Sequence, residues 1–363
     1  MKGITWIIAV LLIAMLTVHA DAIPVSDDIV QTLPTEAEEL IDELDTDTYD
    51  HKTLTQGLSV LWNKVCDYFL TTVRDSMGGA VLLLVVLLLC GITEDCFLAS
   101  GNETTPNYVP MSGALAITMI AAGNMQSMIG MGIETIEQLD VFAKALLPSL
   151  AAAVAASGGL LSAGVKQIAT VFCINLLLSL IRNILLPLVY CYIATAAMNA
   201  ILPHARLKKV AESLRKAVTW ILTGSLALFT GYLTISGGIT GSADALSTQL
   251  ARSAIATAVP VVGGIISDAT GTVLAGAGVL KNGIGIFGML AILAICLLPF
   301  LRLGVQYLLY KLTAFFGSTV STEPLVNLID ALGSAFGLVL GMVGTGALLL
   351  LISMASSVSV VIN

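Results

Sequence analysis

Long apolar runs without charge constrain this chain more than any other feature. Residues 76–93 contain the string VLLLVVLLLC and no side chain that is charged at neutral pH. A helix of about 20 predominantly apolar residues crosses the hydrocarbon core of a bilayer, and a run of 18 or more is a candidate. Comparable apolar regions follow at residues 108–133, 167–203, 217–242, 283–301 and 331–355, of which only 167–203 contains a charged residue, Arg182. The pattern predicts an all-α polytopic membrane protein with about six spanning helices.

Composition agrees with a chain dissolved mainly in lipid. Hydrophobic residues make up 57% of the sequence and charged residues 11%, whereas soluble domains carry roughly 25% charged residues. The net charge is −8, but eleven acidic residues fall within residues 21–50, which contain no Lys or Arg. The global charge therefore says little about partners beyond the lipid bilayer, and nucleic acid is not expected.

The first 53 residues divide into two predicted segments. Residues 1–20 combine Lys2, an apolar run and a small-residue end, which is typical of a signal peptide cleaved after Ala20 or Ala22. An uncleaved anchor is the alternative. Residues 21–53 form an acidic extracytoplasmic tail, predicted to be mostly disordered because it cannot bury enough apolar surface to offset its ordering entropy. One short helix at residues 35–44 is the exception that the sequence allows.

The membrane part is predicted to contain an internal duplication. An amphipathic surface helix at residues 54–75 precedes the first transmembrane helix and its loop, residues 76–107. Residues 108–222 then form the first membrane repeat, and residues 223–363 the second repeat with a C-terminal helix. An offset of 112 residues superimposes identical residues in the two repeats: Pro148 and Pro260, Gly159 and Gly271, Gly164 and Gly276, Leu186-Pro187 and Leu298-Pro299. Chance similarity between apolar segments is the alternative.

Two Pro/Gly-rich stretches, residues 145–166 and 253–281, occupy corresponding positions in the two repeats. Each glycine weakens a helix by roughly 1 kcal/mol relative to alanine, and transporters place discontinuous helices at central sites in both halves. We therefore predict two re-entrant or broken helices around a polar cavity. The candidate cavity residues are Pro148, Lys166, Pro260, Asp268 and Lys281. The alternative is ordinary packing through small residues, with Asp268 in an interfacial turn.

Polar segments between the apolar runs predict the topology. Residues 134–144 and 244–252 are predicted to be linkers. Residues 204–216 contain five of the sixteen basic residues and are predicted to be cytosolic by the positive-inside rule.

Three glycines spaced by four in the last apolar run mark a candidate helix-packing face. Gly333, Gly337 and Gly341 lie on one side of a helix, where small residues allow another helix to approach closely. The partner helix belongs to the same chain or, in a homo-oligomer, to a second copy.

Catalytic signatures are missing from the sequence. The three histidines, His19, His51 and His204, accompany no plausible Ser/His/Asp set, and the six cysteines follow no metal-binding spacing. We therefore expect no enzyme activity, no cofactor and no metal.

The stretch AVPVVGGIISDATGTVLAGAGVLKNGIG closely resembles the signature region of the stage III sporulation protein AE family. The resemblance extends to the signal peptide, the acidic tail, the basic segment RLKKVAESLRKAV and the segment LLPFLRLGVQYLLYKLTAFFG. It covers most of the chain.

The resemblance implies a role in endospore formation. Family members are encoded with other stage III A-operon proteins and made in the mother cell. They are thought to be the polytopic part of a channel or secretion-like complex that reaches a forespore-side channel protein and supports late forespore gene expression. Such a protein is either a conduit for a small solute or a structural platform for the complex, and the family carries no known catalytic motif.

Overall fold

The computed structural model describes most of the membrane part of the chain. The described residues are 32–35, 37–38, 51–99, 108–156, 160–202, 205–258 and 263–359. The predicted signal peptide and most of the acidic tail lie outside them.

Nearly all described residues are helical, and no strand occurs among them. A π-helical turn at Ile181–Leu185 joins two of the helices without a loop. In chain order the helices are α1 His51–Ala99, α2 Tyr108–Ala156, α3 Leu160–Leu180, α4 Leu186–Ile201, α5 Ala205–Ala258, α6 Gly263–Gly317 and α7 Glu323–Ser359.

Six stretches within the described residues are long and apolar enough to span a membrane. The α3–α4 unit supplies one of them, and each other helix supplies one. They are Ser59–Phe97, Tyr108–Ala156, Thr170–Ile201, Arg206–Ile235, Lys281–Gly317 and Glu323–Ala355. The prediction of an all-α membrane protein with about six spanning helices is confirmed.

The helices pack into a bundle in which α6 and α7 are central. Of the most apolar window in each, 61% of residues are buried, against 22% in α1 and α5. The exposed large side chains on the outer helices include Val81, Leu115, Trp220 and Leu228. Lipid would cover these side chains in a membrane, because lipid tails are as apolar as they are.

Contacts at one end of the bundle show which helices begin there and which helices end there. The end of α1 at Gly91 lies against Val320 in the α6–α7 loop. At the same end, Lys208 near the start of α5 forms an ion pair with Glu323 at the start of α7, with the nitrogen 3.6 Å from the oxygen. We call this the basic end, and the start of α1 lies at the opposite end.

The prediction of linkers between the apolar runs was wrong, because both segments are helical. Residues 134–144 lie inside α2, and residues 244–252 lie inside α5. Glu, Gln and Lys are good helix formers, so polarity alone does not end a helix. At about 1.5 Å per residue, α5 and α6 are each about 80 Å long, far longer than the roughly 30 Å hydrocarbon core.

The predicted division between a surface helix and a first span is not marked by a break in the helix, and it stays a prediction. Residues 54–75 and 76–93 belong to one helix, α1, which begins at His51 and continues through Gly78 and Gly79. In a helix of 49 residues, the hydrogen bonds of the other turns offset the free-energy cost of two glycines.

The two Pro/Gly-rich stretches lie where one helix ends and another begins. α2 continues through Pro148 to Ala156, and α5 ends at Ala258. Residues 157–159 and 259–262 lie outside the described residues. α6 is continuous from Gly263 past Lys281. Membrane re-entry and the internal duplication stay predictions.

Candidate functional site: a polar cavity between α2 and α6

A cavity of about 740 Å³ opens between α2 and α6, and a short piece of the acidic tail covers it. Its volume is within the roughly 300–1,000 Å³ typical of ligand sites. Six of its lining residues carry polar side chains on the two helices: Gln126, Ser127, Glu134, Thr135, Gln138 and Arg302. We call this space the tail-covered cavity. Its polarity is unusual for this bundle, because most of the described buried side chains are apolar.

The α2 wall is built by a polar stripe at helical spacing. Gln126, Gly130, Glu134 and Gln138 are four residues apart and all line the cavity. Residues at this spacing stack on one face of a helix. Gly130 leaves open space in the stripe, because a Cβ built there would have no heavy atom within 4 Å.

The α6 wall adds a backbone polar group and a cation. Pro299 lies inside α6 and has no N–H to donate to the carbonyl of Ile295, one turn earlier. Both residues line the cavity together with Arg302. A carbonyl without its usual donor stays available for hydrogen bonds with water or a solute.

A second cavity, of about 580 Å³, lies on the α1 side of the same wall. Leu298 and Arg302 line both cavities. In the second one, Gln306 Nε2 donates a hydrogen bond to Ser76 Oγ at 3.3 Å, and Asn124 and Asp75 are further polar lining residues. Polar space therefore lies on both sides of Arg302.

Arg302 and Glu134 bring opposite charges to the tail-covered cavity, yet they do not neutralise each other. Both side chains are exposed, and neither forms an ion pair within 4 Å of any side chain that the structure describes. Charged groups at membrane depth cost several kcal/mol when they face lipid. The arrangement is therefore stable where water or a polar ligand reaches these groups.

The described part of the acidic tail, residues 32–35 and 37–38, packs against this wall. It overlaps the start of the short helix predicted at residues 35–44, and disorder in the rest of the tail stays a prediction. Leu33 and Ala37 are buried, and both join the hydrophobic core. The Pro34 carbonyl accepts hydrogen bonds from the backbone N–H groups of Ala37, at 2.8 Å, and Glu38, at 2.9 Å. The result is one helical turn, held by two apolar side chains, over a polar cavity.

A neighbouring face of α6 packs tightly against α7 at two of the predicted glycines. A Cβ built on Gly333 would lie 3.0 Å from Tyr310 Cβ and 3.5 Å from the Lys311 backbone nitrogen. A Cβ on Gly337 would lie 3.0 Å from the ring of Tyr307. Any side chain at these positions would have to displace its neighbours.

This close approach places Lys311 in a polar cluster with α7. Lys311 Nζ lies 2.6 Å from Asp330 Oδ1 and 3.1 Å from the Asp330 carbonyl oxygen. It also donates to Ser334 Oγ at 2.8 Å. The ring centroid of Tyr307 lies 5.9 Å from the same nitrogen, in cation–π range. The cluster joins α6 and α7, and none of its side chains lines either polar cavity.

Gly341, the third predicted glycine, faces a different helix. A Cβ built on it would lie 3.7 Å from Leu222 on α5, which is ordinary van der Waals distance. The three glycines are therefore split between two neighbours within one chain.

Arg182, which the sequence placed inside an apolar run, has a partner. Its guanidinium forms an ion pair with the carboxylate of Glu137 on α2. Arg182 lies in the π-helical turn just before Pro187, and such turns are frequent at functional sites. The pairing reduces the cost of a charge within a span.

The predicted cavity residues do not line either polar cavity where the structure describes them. Pro148 is exposed on α2, and Lys281 is buried in α6. Lys166 and Asp268 lie on helical backbone, but their side chains are outside the described set, as is all of Pro260. Their role at a central site stays a prediction.

Sequence reasoning missed the polar cavities although a signal was present. The four-residue spacing from Gln126 to Gln138 crosses the predicted boundary between an apolar span and a linker at residue 134. Because the two sides of that boundary were interpreted separately, the stripe was not recognised. Arg302 directly follows the predicted span at residues 283–301 and was not among the candidate cavity residues.

Together, the bundle and its cavities define a polytopic α-helical membrane protein with a polar space inside its apolar spans. Among the described residues, no group of three His, Cys, Asp or Glu side chains could hold a metal ion.

Comparison with known proteins then places the chain in a family. The family model described as stage III sporulation protein AE matches residues 38–360, so the chain belongs to that family. The stage III sporulation protein AE of Bacillus subtilis (strain 168) is 25% identical over 260 residues, which cover 71% of this chain and 64% of the relative. No solved structure matches the chain.

Proposed function

We propose that this protein is the polytopic membrane component of a channel or secretion-like complex between mother cell and forespore. Membership of the stage III sporulation protein AE family and six apolar helices support a sporulation membrane protein. In the proposed arrangement it occupies the mother-cell membrane that faces the forespore, with the acidic tail extracytoplasmic. Its role is to sustain sporulation and late forespore gene expression.

The proposed partners are the other stage III A-operon membrane proteins and, through them, the forespore-side channel protein. The protein contributes no catalysis and no cofactor chemistry in this proposal. A homo-oligomer is compatible with it, since α1 and α5 leave large apolar surfaces for lipid or a second copy.

Within the complex we assign this chain the role of conduit or permease-like core. One observation carries the assignment: the tail-covered cavity brings polar side chains of α2 and α6 into an apolar bundle. Polar backbone and unpaired charges at membrane depth persist where they line a water-filled space. A small polar solute is the class of cargo that fits such a cavity.

A structural platform without transport activity is the alternative function. The packing of α6 on α7 around Gly333 and Gly337 favours it, because a rigid interface suits a protein on which other components assemble. In a platform, the polar cavities are incidental, and filling them has no consequence.

Filling the tail-covered cavity separates the two functions. Gly130→Leu adds bulk where a Cβ meets nothing within 4 Å, so the protein should stay folded. We expect spore yield to fall at least tenfold at normal membrane abundance. Gly123→Leu is the matched control, since it also meets no atom within 4 Å but lines neither cavity.

The measurement is spore yield together with membrane abundance for each variant. A loss with Gly130→Leu alone supports the conduit. Normal spores from both variants at normal abundance would leave the platform as the better function.

A further inference from the structure

An apolar groove of about 660 Å³ runs between α3 and α5, away from the polar cavities. The parts of α3 and α5 that line the groove belong to stretches that are long and apolar enough to span a membrane. The residues that line its walls are Phe172, Leu176, Trp220, Gly224, Leu228 and Tyr232. Ser225, which also lines it, donates its hydroxyl to the Leu222 carbonyl at 2.8 Å. The groove therefore offers an occupant an almost entirely apolar surface.

Gly224 makes the groove open. A Cβ at this position would have no heavy atom within 4 Å, while Trp220 and Leu228, one turn to either side, are 80% and 78% exposed. Buried Leu177, Phe229 and Leu349 also line it. The groove therefore runs between two bulky side chains, and buried residues of the core form its floor.

A cation lies at one end of the groove. Lys216, Trp220, Gly224 and Leu228 are spaced by four along α5, so they share one face of the helix. Lys216 is exposed and forms no ion pair with the side chains that the structure describes. Lys209, seven residues earlier, lies on the same face nearer the basic end, and exposed Glu212 lies between the two lysines.

We propose that the groove binds an anionic phospholipid, with an acyl chain along Gly224 and the phosphate at Lys216. Basic residues beside grooves between spanning helices attract anionic headgroups. Trp220 lies one turn from Lys216 towards the groove, as aromatic residues do at membrane interfaces. A partner helix fits less well, because bulky Trp220 and Leu228 flank Gly224, whereas close helix contacts repeat small residues every four positions.

Trp220 provides a direct readout of the occupant. The protein, with Trp6 and Trp62 replaced by Phe, is reconstituted into phosphatidylcholine vesicles that contain increasing dibrominated phosphatidylglycerol. A parallel series uses dibrominated phosphatidylcholine. Bromine quenches tryptophan fluorescence on contact, so the two series give the preference of the groove for the anionic lipid. We expect a preference of about fivefold, the size of one lysine's attraction to an anionic membrane surface.

Two variant pairs localise the effect. Lys216→Gln should reduce the preference to about one, whereas Arg215→Gln, which removes an adjacent charge off the stripe, should keep it. Gly224→Leu should also abolish the preference by filling the groove. Gly231→Leu should not, because Gly231 has equally open surroundings but does not line the groove.

Three results would overturn the proposal. Equal quenching by the two lipids in the starting protein would show no anionic preference. A preference that survives Lys216→Gln would place the headgroup elsewhere. Quenching by neither lipid would mean that protein, such as a second copy of the chain, covers the groove.

Discussion

Two faces of α6 have different surroundings. The difference separates residues that stabilise the bundle from residues that are proposed to act in transport. Towards α7, the helix packs on Gly333 and Gly337 so closely that a Cβ would lie 3.0 Å from its neighbours. Towards α2, the same helix borders a cavity of about 740 Å³ with Arg302 in its wall. One helix thus has a close-packed contact on one face and a polar space on another. Bulk should disrupt the first face, and loss of polarity or space should affect only the second.

Bulk at the close-packed contact between α6 and α7 should have the largest effect. Gly337→Leu forces a branched side chain against the Tyr307 ring, and overpacking of this kind costs about 1–3 kcal/mol. We expect membrane abundance to fall and the melting temperature in detergent to drop by several degrees. Gly304→Leu is the matched control on α6, because a Cβ there meets nothing within 4 Å. Equal melting temperatures for the two variants would mean that the α6–α7 contact is looser than described.

Removing the cation of the polar cluster should have an intermediate effect. Lys311→Met leaves the Asp330 carboxylate without its partner at 2.6 Å. The pair is partly exposed, so we expect a loss of about 1–2 kcal/mol rather than the 3–5 kcal/mol typical of buried pairs. The melting temperatures of Lys311→Met, Asp330→Asn and the double variant measure the coupling. Strict additivity would show that the two side chains do not interact.

Weakening the contact between the tail and the bundle should expose the tail without changing the stability of the bundle. Leu33→Asp removes an apolar side chain that is buried against the core, and full burial of a leucine is worth about 1.5–3 kcal/mol. In a background without native cysteines, the thiol of Ala37→Cys should then react with a soluble reagent at least tenfold faster. Thr35→Asp is the control, because Thr35 is exposed in the same turn. Unchanged reaction rates would mean that Leu33 does not hold the tail.

The spans could be predicted from sequence because each has its own local signal. Eighteen or more apolar residues identify a spanning helix regardless of its partners, and all six predicted spans correspond to helices. Helix ends were harder to predict, since residues 134–144 continue α2 although they resemble a linker. Their helical propensity outweighed their polarity.

The cavity could not be predicted in the same way because it depends on contacts between distant segments. Arg302 lies more than 160 residues from Glu134 in the chain, and neither is unusual within its own segment. The covering by Leu33 and Ala37 depends on a fold that the acidic composition of the tail does not reveal. By contrast, Gly333 and Gly337 lie in one helix, and their four-residue spacing alone predicts that another helix packs closely there.

Water access at the two faces of α6 tests the central claim most directly. In a background with the six native cysteines replaced by alanine, Ser127→Cys puts a thiol in the tail-covered cavity. Phe336→Cys puts one on α7 at the contact with α6, where the native ring packs edge-on against Tyr310 and is 0% exposed. The account predicts that a charged thiol reagent labels Ser127→Cys in intact membranes and leaves Phe336→Cys unlabelled until detergent is added. A Ser127→Cys thiol that stays unreactive until detergent is added would contradict it.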